Sequence, residues 1–183
     1  MKHTLQLTVD SLDSKEDLSF QVNKLINAGY GARDQSNVRA HIEEMKDLNL
    51  KMPETIPTIF PLSNHMVTTE TSIQVQHKKT NGEVEFMLLL QEGEWYVAVG
   101  SDHTDRELES FSVPICKQAY PNFIAPVVWR VNDIIEHWDQ IQLKAWMTVD
   151  GKRERYQEGT FGDILPFSFW EKRMKELDAH ESG

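Results

Sequence analysis

Residues 82–109 have the sequence GEVEFMLLLQEGEWYVAVGSDHTDRELE, which reads as a β-hairpin with acidic residues at its open end. Side chains alternate between the two faces of a strand, so the first strand presents two sets of side chains. These sets are Val84, Phe86, Leu88 and Leu90 on one face, and Glu83, Glu85, Met87 and Leu89 on the other. The first face is predicted to be core, and the second carries carboxylates at its far end.

The register of this hairpin brings three carboxylates together. With a four-residue turn at residues 91–94, Glu83 lies opposite Asp102 and Glu85 lies opposite Gly100. Opposed side chains have Cβ atoms about 4.5–5.5 Å apart, so like charges there destabilise the sheet unless one acid takes up a proton or a cation binds. Hard divalent ions such as Mg²⁺ or Ca²⁺ take carboxylate oxygens, and a glycine would leave space for the ion. A solvated acidic strand end is the alternative interpretation.

The composition limits the fold and the partners. A chain of 183 residues is expected to form one domain, residues 1–183, whose core needs no disulfide or structural metal. The formal charge of −10 argues against binding to nucleic acid or to an anionic membrane surface. No leader or membrane-spanning run is visible, which predicts a cytoplasmic protein with a small-molecule or protein partner. Cys116, the single cysteine, is expected to be a buried structural thiol.

Three features precede the acidic hairpin. Residues 1–25 alternate in polarity around a polar turn and are predicted to form an N-terminal β-hairpin. Tyr30 lies between two glycines, which suits a tight approach of the backbone to a ligand or simply a turn. Residues 35–48 are predicted to be a helix, on which Glu44 can orient His41 as a general base for water. A surface ion pair is the alternative for these two residues.

Further strands and two cations complete the prediction. Residues 69–77 alternate like a strand, and residues 141–160 read as a hairpin closed by Asp-Gly. Arg106 and Lys117 are the cations closest in sequence to the acids, so they could orient an anionic substrate group, hold the carboxylates, or be solvated surface charges. Residues 177–183 are expected to be a disordered tail.

The order of elements indicates the fold class. Strands outnumber helices and do not alternate with them, so we predict a mainly β or α+β fold with a mostly antiparallel sheet and short peripheral helices. No Gly-rich phosphate loop, nucleophile elbow or basic aromatic stripe is visible in the sequence.

Several stretches resemble, in the same order, the catalytic domain of the fumarylacetoacetate hydrolase superfamily. They are AGYGARDQSNVRAHIEEM with His41 and Glu44, PETIPTIFPLSNHMV, the E-x-E of Glu83 and Glu85, the spacing of Asp102 and Arg106, Lys117 in ICKQAYPNFIAPVVW, and LKAWMTVDGKRERYQEGT. The resemblance covers about residues 26–170, and GSDHTDR at residues 100–106 is similar to a group of short bacterial proteins. The chain departs from the family by lacking a T-G-T-P loop and by a shorter segment between the E-x-E and Asp102.

The resemblance implies a mixed, mainly antiparallel β-roll that holds Mg²⁺ or Mn²⁺. The implied metal ligands are Glu83, Glu85 and Asp102. The implied catalytic residues are His41, Glu44, Lys117 and Arg106, and the implied substrate-binding residues are Tyr30, Arg106 and Lys117. In this family His41 and Glu44 would lie on a lid helix, and a homodimer is expected by analogy.

The resemblance also implies a reaction. We expect a metal-dependent hydrolase or lyase that cleaves or decarboxylates a small 2-oxo or β-diketo acid through a metal-stabilised enolate. One alternative is a non-catalytic ligand-binding or regulatory module on the same fold, and another is a hydratase or isomerase of similar oxo acids.

Overall fold

The structure is a computed structural model that describes residues 3–47 and 53–181, without the side chains of residues 41, 44–47 and 178–181. It is an α+β fold dominated by strands, which confirms the predicted fold class. None of the helices in these ranges is both long and apolar enough to cross a bilayer.

The elements are numbered in chain order. The strands are β1 (His3–Asp10), β2 (Lys15–Val22), β3 (Leu25–Gly29), β4 (Thr58–Leu62), β5 (Val67–Thr68), β6 (Thr80–Gln91), β7 (Glu94–Asp105), β8 (Asn122–Ile124), β9 (Val127–Arg130), β10 (Gln142–Val149) and β11 (Lys152–Thr160). The α-helices are α1 (Gln35–Asp47), α2 (Arg106–Phe111), α3 (Val113–Ala119), α4 (Val131–Ile134) and α5 (Phe167–Glu181). Turns of 3₁₀ helix occur at Asn64–Met66, Ile135–Gln140 and Phe161–Asp163.

The main sheet has seven strands and is mixed. Its hydrogen-bonded order is β2-β1-β9-β7-β8-β5, and β6 is added to β7. The β1–β9 and β5–β8 pairs are parallel, and the other pairs in this sheet are antiparallel. Strands β3 and β4 form a separate two-stranded antiparallel sheet, and so do β10 and β11. The mostly antiparallel character agrees with the prediction.

The β6–β7 hairpin has the predicted register. Glu83 pairs with Asp102, and Glu85 pairs with Gly100. The turn contains Gly93 at φ 83°, a left-handed conformation that a residue without Cβ adopts at no steric penalty. Because both strands are 12 residues long and paired throughout, the acids lie at the end of the hairpin opposite the turn.

The hairpin packs between two apolar clusters. One cluster contains Val97, Val131, Trp138, Leu143 and Phe161, with Val84, Phe86 and Leu88 of β6 packed against it. The other contains Leu5, Leu7, Val9, Leu89 and Ala98, with Met87 and Phe20 packed against it. The first face of β6 is core as predicted except at Leu90, which is 42% exposed, and the second face is also apolar core beyond its two glutamates.

Other local predictions have mixed outcomes. The N-terminal hairpin is confirmed as β1–β2, and the later hairpin as β10–β11. The strand predicted at residues 69–77 is wrong, because this segment is not paired as a strand and the Gln76 N–H donates to the Tyr120 hydroxyl instead. The disordered tail predicted at residues 177–183 is also wrong for residues 177–181, which belong to α5. Residues 182–183 lie outside the described residues.

Candidate functional site

The predicted acids converge at the open end of the β6–β7 hairpin. Strand β6 supplies Glu83 and Glu85, and β7 supplies Asp102, which is only 3% exposed. Helices α2 and α3 follow β7 directly and bring Arg106 and Lys117 over this end. These five of the six side chains that the sequence links to metal and substrate are therefore neighbours in space.

Lys117 lies among the carboxylates. Its side chain is buried, and its Nζ donates to Asp102 Oδ2 and lies 3.7 Å from Glu83 Oε2. Burial is the largest single influence on the Lys117 ammonium and lowers its pKa, but the carboxylates of Asp102, Glu83 and Glu85 together outweigh burial and raise this pKa overall. Lys117 therefore stays protonated and neutralises Asp102. The prediction that it lies near the acids is confirmed, and the surface-charge alternative is wrong.

Arg106 holds Glu83 in place. The Arg106 Nη2 donates to Glu83 Oε1 at 2.7 Å, Nη1 donates to Glu109 Oε2 at 2.9 Å, and Nε donates to Asn81 Oδ1 at 2.7 Å. Burial opposes the charged form of the guanidinium, but its two carboxylate partners raise its pKa overall. Because every guanidinium nitrogen is engaged, the contacts favour the predicted role of holding carboxylates. Its catalytic and substrate-binding roles stay predictions.

Glu85 is the acid whose charge is least compensated. Its removal from water raises the pKa of its carboxyl from 4.5 to about 8, and repulsion from Asp102 adds to this shift. The Lys117 ammonium opposes the shift without cancelling it. The carboxyl is thus mostly protonated at neutral pH in the absence of a further positive charge.

The space expected above Gly100 is not open. A Cβ atom at this position would overlap the Cγ and Sδ atoms of Met87, and it would lie 3.2 Å from the Phe123 carbonyl oxygen. The glycine makes room for the Met87 side chain, so the expectation that it leaves space for a cation is wrong.

The acids and cations line one part of a large cavity. Its volume is about 1050 Å³, and Glu83, Glu85, Asp102, Arg106 and Lys117 are among its lining residues. Tyr30, predicted to approach a ligand, also lines it and adopts φ 61°. Burial, followed by the nearby Glu109 carboxylate, raises the pKa of the Tyr30 hydroxyl. Its substrate-binding role stays a prediction, but its position is that of a cavity residue.

The backbone of the predicted general-base pair is described, but the positions of its two side chains are not. Helix α1 is confirmed, with Val38 and Ile42 buried. His41 and Glu44 are on this helix, but their side chains lie outside the described residues. Their role in activating water stays a prediction.

The donor set fits a hard divalent cation in chemistry and in charge. Four carboxylates, Glu109 included, surround two cations, so two negative charges remain when all the acids are ionised. Carboxylate oxygens are the ligands that Mg²⁺ prefers, and the pKa of Glu85 is raised chiefly by burial and next by repulsion from Asp102. Across residues 3–47 and 53–181, however, no three His, Cys, Asp or Glu side chains are grouped as metal ligands. A cation that bound Asp102 would compete with the Lys117 ammonium.

Sequence reasoning missed Asp105, which is fully buried beside the site. Its Oδ1 accepts from the N–H groups of Glu107 and Leu108 and so caps α2. Its Oδ2 lies 2.8 Å from His77 Nδ1 and accepts from the Tyr120 hydroxyl at 3.3 Å. This aspartate ties the segment before β6 to the helix that begins with the site arginine. The sequence signal for this role was an aspartate directly before a helical turn, a position typical of a helix N-cap.

Comparisons with known proteins add a family and a fold. A family model described as "Protein of unknown function (DUF2848)" matches residues 28–183. Among the curated proteins, none matches the chain. A solved structure described as "Crystal structures of Cg1458" is similar at a TM-score of 0.55 and 14% identity, over 89% of this chain and 78% of that one. Another, "Crystal structure of Cg1458 with inhibitor", has a TM-score of 0.54 and 18% identity over 84% and 63%. At these identities the likeness is one of fold.

Proposed function

The chain belongs to the DUF2848 family, and we propose that it is a metal-dependent hydrolase or lyase that acts on a small 2-oxo or β-diketo acid. The resemblance of its ordered motifs to the fumarylacetoacetate hydrolase superfamily is part of this proposal. The site supports it independently, because acids, a buried lysine and an arginine meet in one cavity.

The uncompensated charge of the acid cluster carries the proposal. Three carboxylates lie on two neighbouring strands, and the pKa of Glu85 is raised to about 8. Burying such a cluster without a compensating cation opposes folding. With Glu109 counted, four ionised carboxylates surround Arg106 and Lys117, so a divalent ion would neutralise the two negative charges that these cations leave.

The residues take separate roles in this proposal. Glu83, Glu85 and Asp102 would hold Mg²⁺ or Mn²⁺, which when bound supplies Lewis acidity to an oxo acid. Arg106 keeps Glu83 oriented through its 2.7 Å hydrogen bond. Lys117, buried and protonated, can donate a hydrogen bond or a proton to a substrate oxygen.

The remaining roles concern water and substrate. His41 and Glu44 are proposed to take a proton from the attacking water, and Tyr30 is proposed to contact the substrate from the cavity wall. A hydratase or isomerase of similar acids would use the same groups. We further propose a cytoplasmic location, a small-molecule rather than a nucleic-acid or membrane partner, and a homodimer.

Metal binding gives the direct test. We expect Mg²⁺ or Mn²⁺ to raise the melting temperature of chelator-treated protein, and Glu83→Gln to abolish this rise because it removes a ligand. Glu154→Gln, an exposed change on β11, is the matched control and should behave as wild type. An unchanged melting temperature together with no metal in elemental analysis would refute the metal-dependent proposal.

A second candidate is a metal-free binding or regulatory module. The Lys117–Asp102 contact favours it, since an ammonium already neutralises one of the proposed ligands. Turnover of a panel of acylpyruvates separates the two candidates. An enzyme loses turnover on Glu83→Gln, whereas a binding module shows no turnover in wild type and only weaker ligand binding in the variant.

A further inference from the structure

We infer that the acid taken by the proposed site carries an extended apolar tail, an inference that rests on the proposed function. The cavity of about 1050 Å³ is slightly larger than the range of about 300–1000 Å³ found for sites of drug-sized ligands. A short oxo acid bound at the carboxylates would leave most of this volume unfilled.

The cavity continues from the acids along β6. Residues from both faces of this strand line it, which places it beside the edge of β6 that pairs with no strand among the described residues. From Glu83 to Leu90 the strand rises about 23 Å at about 3.3 Å per residue. The cavity is therefore elongated, with the charged groups near one end of the strand.

Apolar side chains form much of the remaining wall. They include Phe20, Leu25, Ile59, Leu88, Leu90 and Trp95. The first three come from β2, β3 and β4, and the others from the hairpin, so the tail would lie between two separate parts of the chain. An apolar wall beyond a charged cluster complements an amphiphile whose head is charged and whose tail is hydrocarbon.

The affinity of the site for an acid should increase with each methylene added to the tail of the acid. Burial of a methylene contributes about 0.8 kcal/mol, which corresponds to about fourfold in affinity for each methylene that is fully buried. From 2-oxobutanoate to 2-oxooctanoate we therefore expect at least a tenfold gain, allowing for incomplete burial of the four added methylenes.

Isothermal titration of the Mn²⁺-loaded full chain with these two acids tests the inference. Ile59→Asn makes the apolar wall polar, and we expect it to lower the affinity ratio of the long to the short acid by about fourfold or more. Ile56→Asn is the matched control, because Ile56 is in the same segment, is 41% exposed and does not line the cavity. It should keep the wild-type ratio.

The outcomes separate this inference from the proposed function. If Mn²⁺ and 2-oxobutanoate bind but 2-oxooctanoate binds no more tightly, the tail inference fails and the proposed function stands. If Mn²⁺ alone gives no thermal shift and neither acid binds, both fail. If Ile59→Asn and Ile56→Asn change the affinity ratio equally, the inference is also overturned. If Ile59→Asn does not fold, the affinities of wild type for the two acids decide whether the inference holds.

Discussion

Replacing Glu85 by glutamine should remove a destabilising charge from the metal-free protein. The pKa of this carboxyl is about 8 in the folded chain against an ordinary value of 4.5. The folded state therefore holds a proton that the unfolded state has released between these two values. Since the folded state binds more protons, the free energy of unfolding falls as pH rises through this window.

The size of the effect follows from the pKa difference. Each pH unit inside the window changes the free energy of unfolding by about 1.4 kcal/mol. Between pH 5.5 and 7.5 the wild type should therefore lose about 3 kcal/mol relative to Glu85→Gln, which has no proton to release at this position. The variant should be the more stable protein at the higher pH.

Urea unfolding at the two pH values, in the presence of a chelator, measures this difference. Glu154→Gln on the surface of β11 is the control for a glutamate change without burial, and its gap to wild type should not depend on pH in this way. Mn²⁺ should stabilise wild type and not Glu85→Gln. A gap between Glu85→Gln and wild type that stays constant with pH would refute the electrostatic reasoning.

Three further changes test separate contacts. Lys117→Met leaves a carboxylate partner buried without its counter-ion, so we expect a loss of about 3–5 kcal/mol in urea unfolding, partly recovered with Mn²⁺; a loss below about 1 kcal/mol would contradict the buried pair. His77→Gln removes an imidazole whose pKa is raised, chiefly by its hydrogen bond to Asp105. The stabilisation is present below the unfolded pKa and is lost as pH rises through the folded one, so the gap to wild type should be larger at pH 5.5 than at pH 8.5, and an equal gap would count against the pairing. Gly100→Ala should destabilise by about 1–3 kcal/mol in the same assay because its Cβ meets Met87. Adding Met87→Ala to Gly100→Ala should remove most of that overlap, and a double variant showing no such relief would argue against it.

Local sequence was enough to determine the hairpin and its register. Strand periodicity of two and a four-residue turn at residues 91–94 set the pairing of the two strands. That pairing sets Glu83 against Asp102. The cluster of acids was therefore predictable, because it depends only on neighbouring strands.

The strand predicted at residues 69–77 shows where local pattern fails. Alternation describes which faces the side chains take, but a strand forms only where its backbone groups pair with those of a neighbouring strand. Here the backbone and the His77 ring bond to Tyr120 and Asp105, both far along the chain. Partners of this kind have no signal in the segment itself.

Only the tertiary structure decided how the acids are compensated. Their short sequence distance from the acids made Lys117 and Arg106 candidate partners of the carboxylates. Their burial and contacts, however, depend on how α2 and α3 pack against the end of the β6–β7 hairpin. Met87 of the same hairpin fills the space above Gly100, and burial in the folded chain withdraws Glu85 from water. Charge type and strand register are properties of the local chain, whereas desolvation and ion pairing arise from residues brought together by the whole fold, and these set the chemistry of the site.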